Sequence, residues 1–125
     1  MIIGIGTDIL KISNIEHAVS DLSDPFIQKT FTLRELDLIC SRQIPLYCFA
    51  TRFAGKEAVF KSFSVGGNAI KLNEIEILEN EIGQPIVILH GNAKNIAKLK
   101  NIHSILISLS YDTDYAVAFA TALSK

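Results

Sequence analysis

Ser64-Val65-Gly66-Gly67-Asn68 is the stretch on which the fold turns, because the chain changes character across it. Paired glycines in a run without apolar period mark a break in regular structure. Upstream, apolar residues recur at helical spacing. Downstream they fall into short runs, the pattern of strands.

Directly before the break, Pro45 opens a helix predicted to run through about Phe63. Phe49, Phe53 and Phe60, with Ala50 and Ala54, supply its apolar face. Further back, Thr32-Leu33-Arg34-Glu35 is a capping box that starts a helix toward Ser41. Asp24-Pro25 offers another start, with aspartate as cap and proline in the first turn. Ser13-Asn14-Ile15-Glu16 is a second capping box, predicting a helix from near Asn14 to about Leu22. Met1 to Asp8, rich in isoleucine, reads as a buried strand whose glycines let another backbone pack closely.

After the break, Ile75, Ile77 and Leu78 lead into the turn Glu81-Ile82-Gly83-Gln84-Pro85, and Ile86 to Leu89 returns as a hairpin partner. Gly91-Asn92 opens a short helix. Ser104 to Tyr111 and Tyr115 to Leu123 are strands joined by Asp112-Thr113-Asp114. Helices clustered early and strands late define an α+β class with a mainly antiparallel sheet. At 125 residues the expectation is one domain spanning 1–125.

Composition narrows the function classes. With 49% apolar and 20% charged residues the chain is globular. A net charge of −1 gives no general basic excess, which argues against a nucleic-acid binder. Cys40 and Cys48 form no disulfide framework, and both fall in apolar helical stretches where a thiol behaves as a small hydrophobe. The amino-terminal apolar run lacks a charged n-region and is too short to span a bilayer. A soluble cytoplasmic protein is the expectation, with no membrane partner.

Two acidic residues are the strongest chemical signal. Asp8 closes the amino-terminal strand, where a carboxylate costs desolvation energy unless a cation pairs with it. Glu57 lies in Arg52-Phe53-Ala54-Gly55-Lys56-Glu57-Ala58-Val59-Phe60-Lys61. If the fold joins them, the two carboxylates suit one hard divalent ion; Mg2+ favours one or two carboxylates plus substrate phosphates. Lys61, one turn beyond Glu57, is either its ordinary exposed ion-pair partner or a cation for a phosphate. Gly66-Gly67 reads as a plain turn or as a source of backbone N–H groups for phosphate oxygens. Asp112 and Asp114 read first as a polar hairpin tip. His17, His90 and His103 share no ligand or nucleophile–base spacing.

Three segments together carry a family resemblance. Gly4-Ile5-Gly6-Thr7-Asp8-Ile9, then Arg52 to Ala58, then Ser108-Leu109-Ser110-Tyr111-Asp112-Thr113-Asp114-Tyr115-Ala116-Val117-Ala118 resemble the holo-[acyl-carrier-protein] synthases, the small bacterial phosphopantetheinyl transferases. The resemblance implies a magnesium-dependent α+β enzyme of fatty acid biosynthesis. Such an enzyme moves 4′-phosphopantetheine from coenzyme A to a serine of acyl carrier protein and releases adenosine 3′,5′-bisphosphate. It also implies a homotrimer with active sites between subunits. By motif position, Asp8 and Glu57 fall on the family's metal ligands and Lys61 on its phosphate-contacting lysine. Arg52 and the segment Ser64 to Gly67, including Ser64 and Gly66, fall near the coenzyme's nucleotide end. Glu57, or a water beside the metal, is the candidate base for the serine hydroxyl.

Two departures stand out. Tyr111 occupies a position where the family usually has histidine, and an unperturbed tyrosine is a poor base at neutral pH. It remains able to donate a hydrogen bond to a phosphate or the pantetheine arm. Asn14 stands where relatives often carry a basic residue used against the carrier, leaving Lys11, Lys29, Arg34 and Arg42 to supply that charge. Two rival readings use the same residues. One is a metal-dependent phosphohydrolase drawing on Asp112 and Asp114. The other is a non-catalytic module that binds coenzyme A or the carrier.

Overall fold

A computed structural model describes residues 1–125. Strand β1 (Ile2–Lys11) leads into helices α1 (Ser13–Val19), α2 (Pro25–Thr30), α3 (Leu33–Cys40) and the long α4 (Pro45–Ser62). A single 3-10 turn (Leu72–Glu74) precedes the hairpin β2 (Ile75–Glu79) and β3 (Pro85–Leu89). Helix α5 (Gly91–Leu99) and the hairpin β4 (Ser104–Tyr111) and β5 (Tyr115–Leu123) complete the chain. The α+β class holds. The strands form two antiparallel ladders, β1-β5-β4 and β2-β3, where one main sheet was expected.

Helix α4 lies across the inner face of the three-stranded sheet, and small residues make the approach close. An added Cβ at Gly4 would sit 2.0 Å from the Ser62 carbonyl oxygen, and one at Gly6 1.9 Å from that of Ala58. Both glycines are therefore required by backbone contact, as the close-packing reading expected. Ala116, Ala118, Ala120 and Ala122 line the central strand β5, facing Ala54 and Ala58 of α4, all buried. Ile27, Phe31, Ile39, Phe49, Val59 and Ile77 join the same core.

Strand β1 corrects the sequence reading twice. It continues past Asp8 to Lys11, so Asp8 sits inside the strand opposite Ala118. It is also an edge strand, not a buried one: Ile5 is 72% and Ile9 69% exposed. Register places Ile5 and Ile9 on the outer sheet face with Leu106 and Phe119, which are exposed as well. The sheet thus presents an uncovered apolar face, of the kind that marks an interaction surface.

Helix starts follow local chemistry where the backbone permits it. Thr32 and Glu35 form their reciprocal capping box, and Asp24 accepts a hydrogen bond from the Phe26 N–H. The Ser13 box does not form. The chain passes from β1 straight into α1 with buried Ile12 already in helical conformation (φ −60°, ψ −36°), so no residue there adopts the extended geometry of a cap. The helix starts at Ser13 and ends at Val19, short of Leu22. Cys48 is buried as expected, whereas Cys40 is exposed at the end of α3.

Candidate active site

Asp8, Glu57 and Lys61 meet where β1 crosses the carboxy-terminal half of α4. The Lys61 Nζ donates to the Thr7 carbonyl at 2.9 Å and to Asp8 Oδ1 at 3.2 Å. Lys61 therefore pairs across to the strand and not with Glu57 one turn back on its own helix. That pairing answers the desolvation problem of Asp8, whose side chain is 18% exposed.

Glu57 is half-buried and makes no hydrogen bond or ion pair within the chain. Burial pushes its carboxyl above the usual range, the Asp8 charge adds to the rise, and Lys61 opposes it. Two carboxylates that repel each other beside one lysine are a donor set a divalent cation would relieve. No cluster of three or more His, Cys, Asp or Glu side chains forms a fuller cage. The pair suits an ion that takes its remaining ligands from water and substrate.

A second group lies around the other end of α4. Arg52 and Tyr111 line a cavity of about 350 Å3 together with Arg42, Tyr47, Cys48 and Thr51. Arg42 and Arg52 both hold the Glu79 carboxylate, the latter at 3.3 Å. Arg52 is buried, and its Nε has no partner. The Tyr111 ring stacks on that of Tyr47 with centroids 5.0 Å apart and planes 18° off parallel. No hydrogen bond or ion pair in the chain joins this group to Asp8, Glu57 and Lys61. The two groups thus share helix α4 without a direct polar link.

Ser64 and Gly66 follow directly after α4. Ser64 adopts a left-handed φ of 55°, and its carbonyl accepts from Lys100 Nζ at 3.3 Å. Gly66 and Gly67 face open space, so no contact explains them. Asp112 forms a hairpin tip, accepting the N–H groups of Asp114 and Tyr115, which hold its carboxyl below the usual range. Among the cations considered for the carrier, Arg34 is tied to Glu76 and Arg42 to Glu79, while Lys11 and Lys29 are exposed and unpaired.

Sequence reading missed a third charged group, which lies inside the core. Lys56 and Glu35 are both fully buried and paired at 2.7 Å. Lys56 also donates to the Leu72 and Ile75 carbonyls, and Glu35 accepts from the Thr32 and Ile77 N–H groups. Burial pushes the Lys56 ammonium down and Glu35 resists the fall. Nearby, buried Glu76 accepts from Thr32, Arg34 and His90. Burial raises its carboxyl, but those hydrogen bonds prevail and bring it to about 2. The one local clue was the Thr32 box, which fixes Glu35 but not its distant partner.

Carboxylates and a lysine toward one end of a helix, with an arginine-lined aromatic cavity toward the other, are a combination that suits a phosphate-bearing ligand. The chain belongs to the 4′-phosphopantetheinyl transferase superfamily, whose family model matches residues 4–120. A holo-[acyl-carrier-protein] synthase of Alkaliphilus oremlandii is 41% identical over 98% of this chain and 100% of its own length. An acyl carrier protein synthase of Plasmodium yoelii, solved with ADP bound, superposes with a TM-score of 0.88 at 32% identity, covering 100% of this chain and 97% of its own. The Helicobacter pylori holo-[acyl-carrier-protein] synthase in complex with coenzyme A gives 0.81 at 29% identity, covering 95% and 99%.

Proposed function

We propose that this chain is one domain, residues 1–125, that transfers 4′-phosphopantetheine from coenzyme A to a serine of apo acyl carrier protein. The observation that carries the site assignment is the convergence of Asp8, Glu57 and Lys61 across β1 and α4. The serine oxygen attacks the phosphorus bearing the pantetheine arm. Its bond to that phosphorus forms as the bond to the bridging oxygen breaks, and adenosine 3′,5′-bisphosphate leaves.

Each residue has a physical task in that displacement. Glu57, which has no partner within the chain, or a water beside it takes the serine proton. Lys61 exchanges part of its hold on Asp8 for a phosphate oxygen, balancing charge as it builds. Asp8 and Glu57 are the residues that would hold Mg2+, which supplies Lewis-acid polarisation of the phosphate oxygens. Positioning and electrostatics dominate such transfers, so fixed geometry matters more than covalent chemistry.

Arg52, Arg42, Ser64, Gly66 and Tyr111 receive the nucleotide end of the coenzyme. The division of these residues into two groups with no polar link within the chain supports a homotrimer in which a neighbouring copy completes each site. The uncovered apolar sheet face supports the same reading. Cytoplasmic fatty acid biosynthesis is the setting that fits this activity; no helix is long and apolar enough to cross a membrane. Docking of the carrier falls to Lys11 and Lys29, the two of the four cations considered that are left unpaired. Carrier affinity should fall steeply with salt and after Lys11→Glu; indifference to both removes that assignment.

The test is to incubate the protein with apo carrier, coenzyme A and magnesium and follow the intact carrier mass. A phosphopantetheine-sized gain, abolished by Asp8→Ala and by Glu57→Ala, is expected. Retained transfer in either variant would overturn the assignment of the carboxylates. Release of free phosphopantetheine without a carrier would point to a hydrolase instead, and coenzyme binding without transfer to a binding module.

A further inference from the structure

Tyr47 has no part in the chemistry described above, yet it is the residue that fixes Tyr111. Tyr111 ends β4 just before the hairpin turn and is 57% exposed, a position where an unsupported side chain samples several rotamers. Tyr47 stands in the first turn of α4, behind Pro45, and its ring lies flat on that of Tyr111. Stacked aromatic pairs add attraction beyond their buried area. The stack therefore removes rotational freedom from Tyr111 before any ligand arrives. Neither phenol oxygen has a hydrogen-bond partner within the chain, and both rings line the cavity that holds Arg42 and Arg52. The cavity thus offers a hydroxyl donor beside two guanidinium groups, and the donor is held in place by a neighbour that need not touch the ligand.

We propose that Tyr47 is a positioning residue for coenzyme A, acting through Tyr111: the stacked pair aims the Tyr111 hydroxyl at a phosphate oxygen of the bound coenzyme. The inference rests on the reading that this cavity takes the coenzyme's nucleotide end. Preorganising one donor saves the entropy of ordering it at the moment of binding.

The experiment is a double-mutant cycle on coenzyme affinity and on steady-state transfer, with melting curves to establish that each variant is folded. Tyr47→Ala, or Tyr47→Leu if the former melts early, should raise the KM for coenzyme A about tenfold, as the loss of one ordered donor to a charged group would. The KM for the carrier should stay unchanged, and Tyr47→Phe should restore the coenzyme KM by keeping the stack. Tyr111→Phe should cost a similar factor, and adding Tyr47→Ala to it should cost little more, because the two act as a unit. Tyr111→His should add a pH dependence of the coenzyme KM near neutrality. Multiplying effects of Tyr47→Ala and Tyr111→Phe, or a wild-type KM in Tyr47→Ala, would overturn the proposal. Arg52→Ala separates the two levels: unchanged coenzyme affinity there would remove the underlying reading of the cavity, whereas a loss there with Tyr47→Ala silent would sink only the role of Tyr47.

Discussion

On helix α4, Lys56 turns into the core and its sequence neighbour Glu57 turns toward Asp8 at the sheet. Lys56 meets a carboxylate, two carbonyls and the face of the Phe31 ring, and water does not reach it. Glu57 meets no partner, and repulsion from the Asp8 carboxylate acts on it more strongly than attraction to Lys61. The first cluster is saturated, so its energy is spent on fixing α3, α4 and β2 against one another. The second is left unsatisfied, so its energy is available to a ligand. Local unsaturation, more than charge, separates a site from a scaffold in this molecule.

The largest test of that contrast is on the saturated side. Lys56→Met leaves Glu35 buried with its charge uncompensated, and loss of one partner from a buried pair costs about 3–5 kcal/mol. Urea unfolding should shift accordingly, and a midpoint near wild type would show that Glu35 escapes to solvent or takes up a proton at little cost.

Acid provides a second and somewhat smaller effect. Glu76 has a folded value of about 2 against an ordinary 4.5, so its stabilisation is complete above the unfolded value and is lost as pH falls through the folded one. A shift of that size amounts to about 3 kcal/mol, drained between roughly pH 5 and pH 2. Melting temperature followed over that window should fall steeply in the wild type and less so in Glu76→Gln. Parallel curves would place the acid sensitivity elsewhere.

Glu57 should give the smallest effect, with the opposite sign. Its value is raised on folding, so the folded state holds its proton more tightly than the unfolded chain. Stability therefore falls as pH rises from the unfolded value through the folded one, and the penalty persists at neutrality. Glu57→Gln should raise the melting temperature slightly at neutral pH in the absence of divalent ions, and leave it unchanged below the ordinary carboxylate range. Magnesium should then stabilise the wild type by mass action and leave the variant unmoved. A variant that melts early would mean that Glu57 belongs to the scaffold.

This contrast also explains what could be read from the chain. The break at Ser64 to Asn68, the α4 helix, the caps at Asp24 and Thr32 and the two hairpins rest on interactions between residues a few positions apart, so their signals are local. The Ser13 box looked identical in sequence, yet the direct passage from β1 through Ile12 gave it no extended cap residue. Asp8 and Glu57 were legible as a pair because both stand out as acids within apolar segments. Lys56 carried no such mark. It sits beside Glu57, and its partner Glu35 lies 21 residues away on another helix, where only the packing of α3 on β2 brings them together. The isoleucines of β1 misled for a related reason: apolar composition signals burial against something, and nothing within this chain covers that face.

The most direct measurement is single-turnover transfer by Glu57→Gln, read by carrier mass under conditions where its melting curve shows it fully folded. The account predicts a variant at least as stable as the wild type whose transfer is slower by a hundredfold or more, about the loss expected when a group acting on the transition state is removed. A folded Glu57→Gln that transfers phosphopantetheine at the wild-type rate would contradict it.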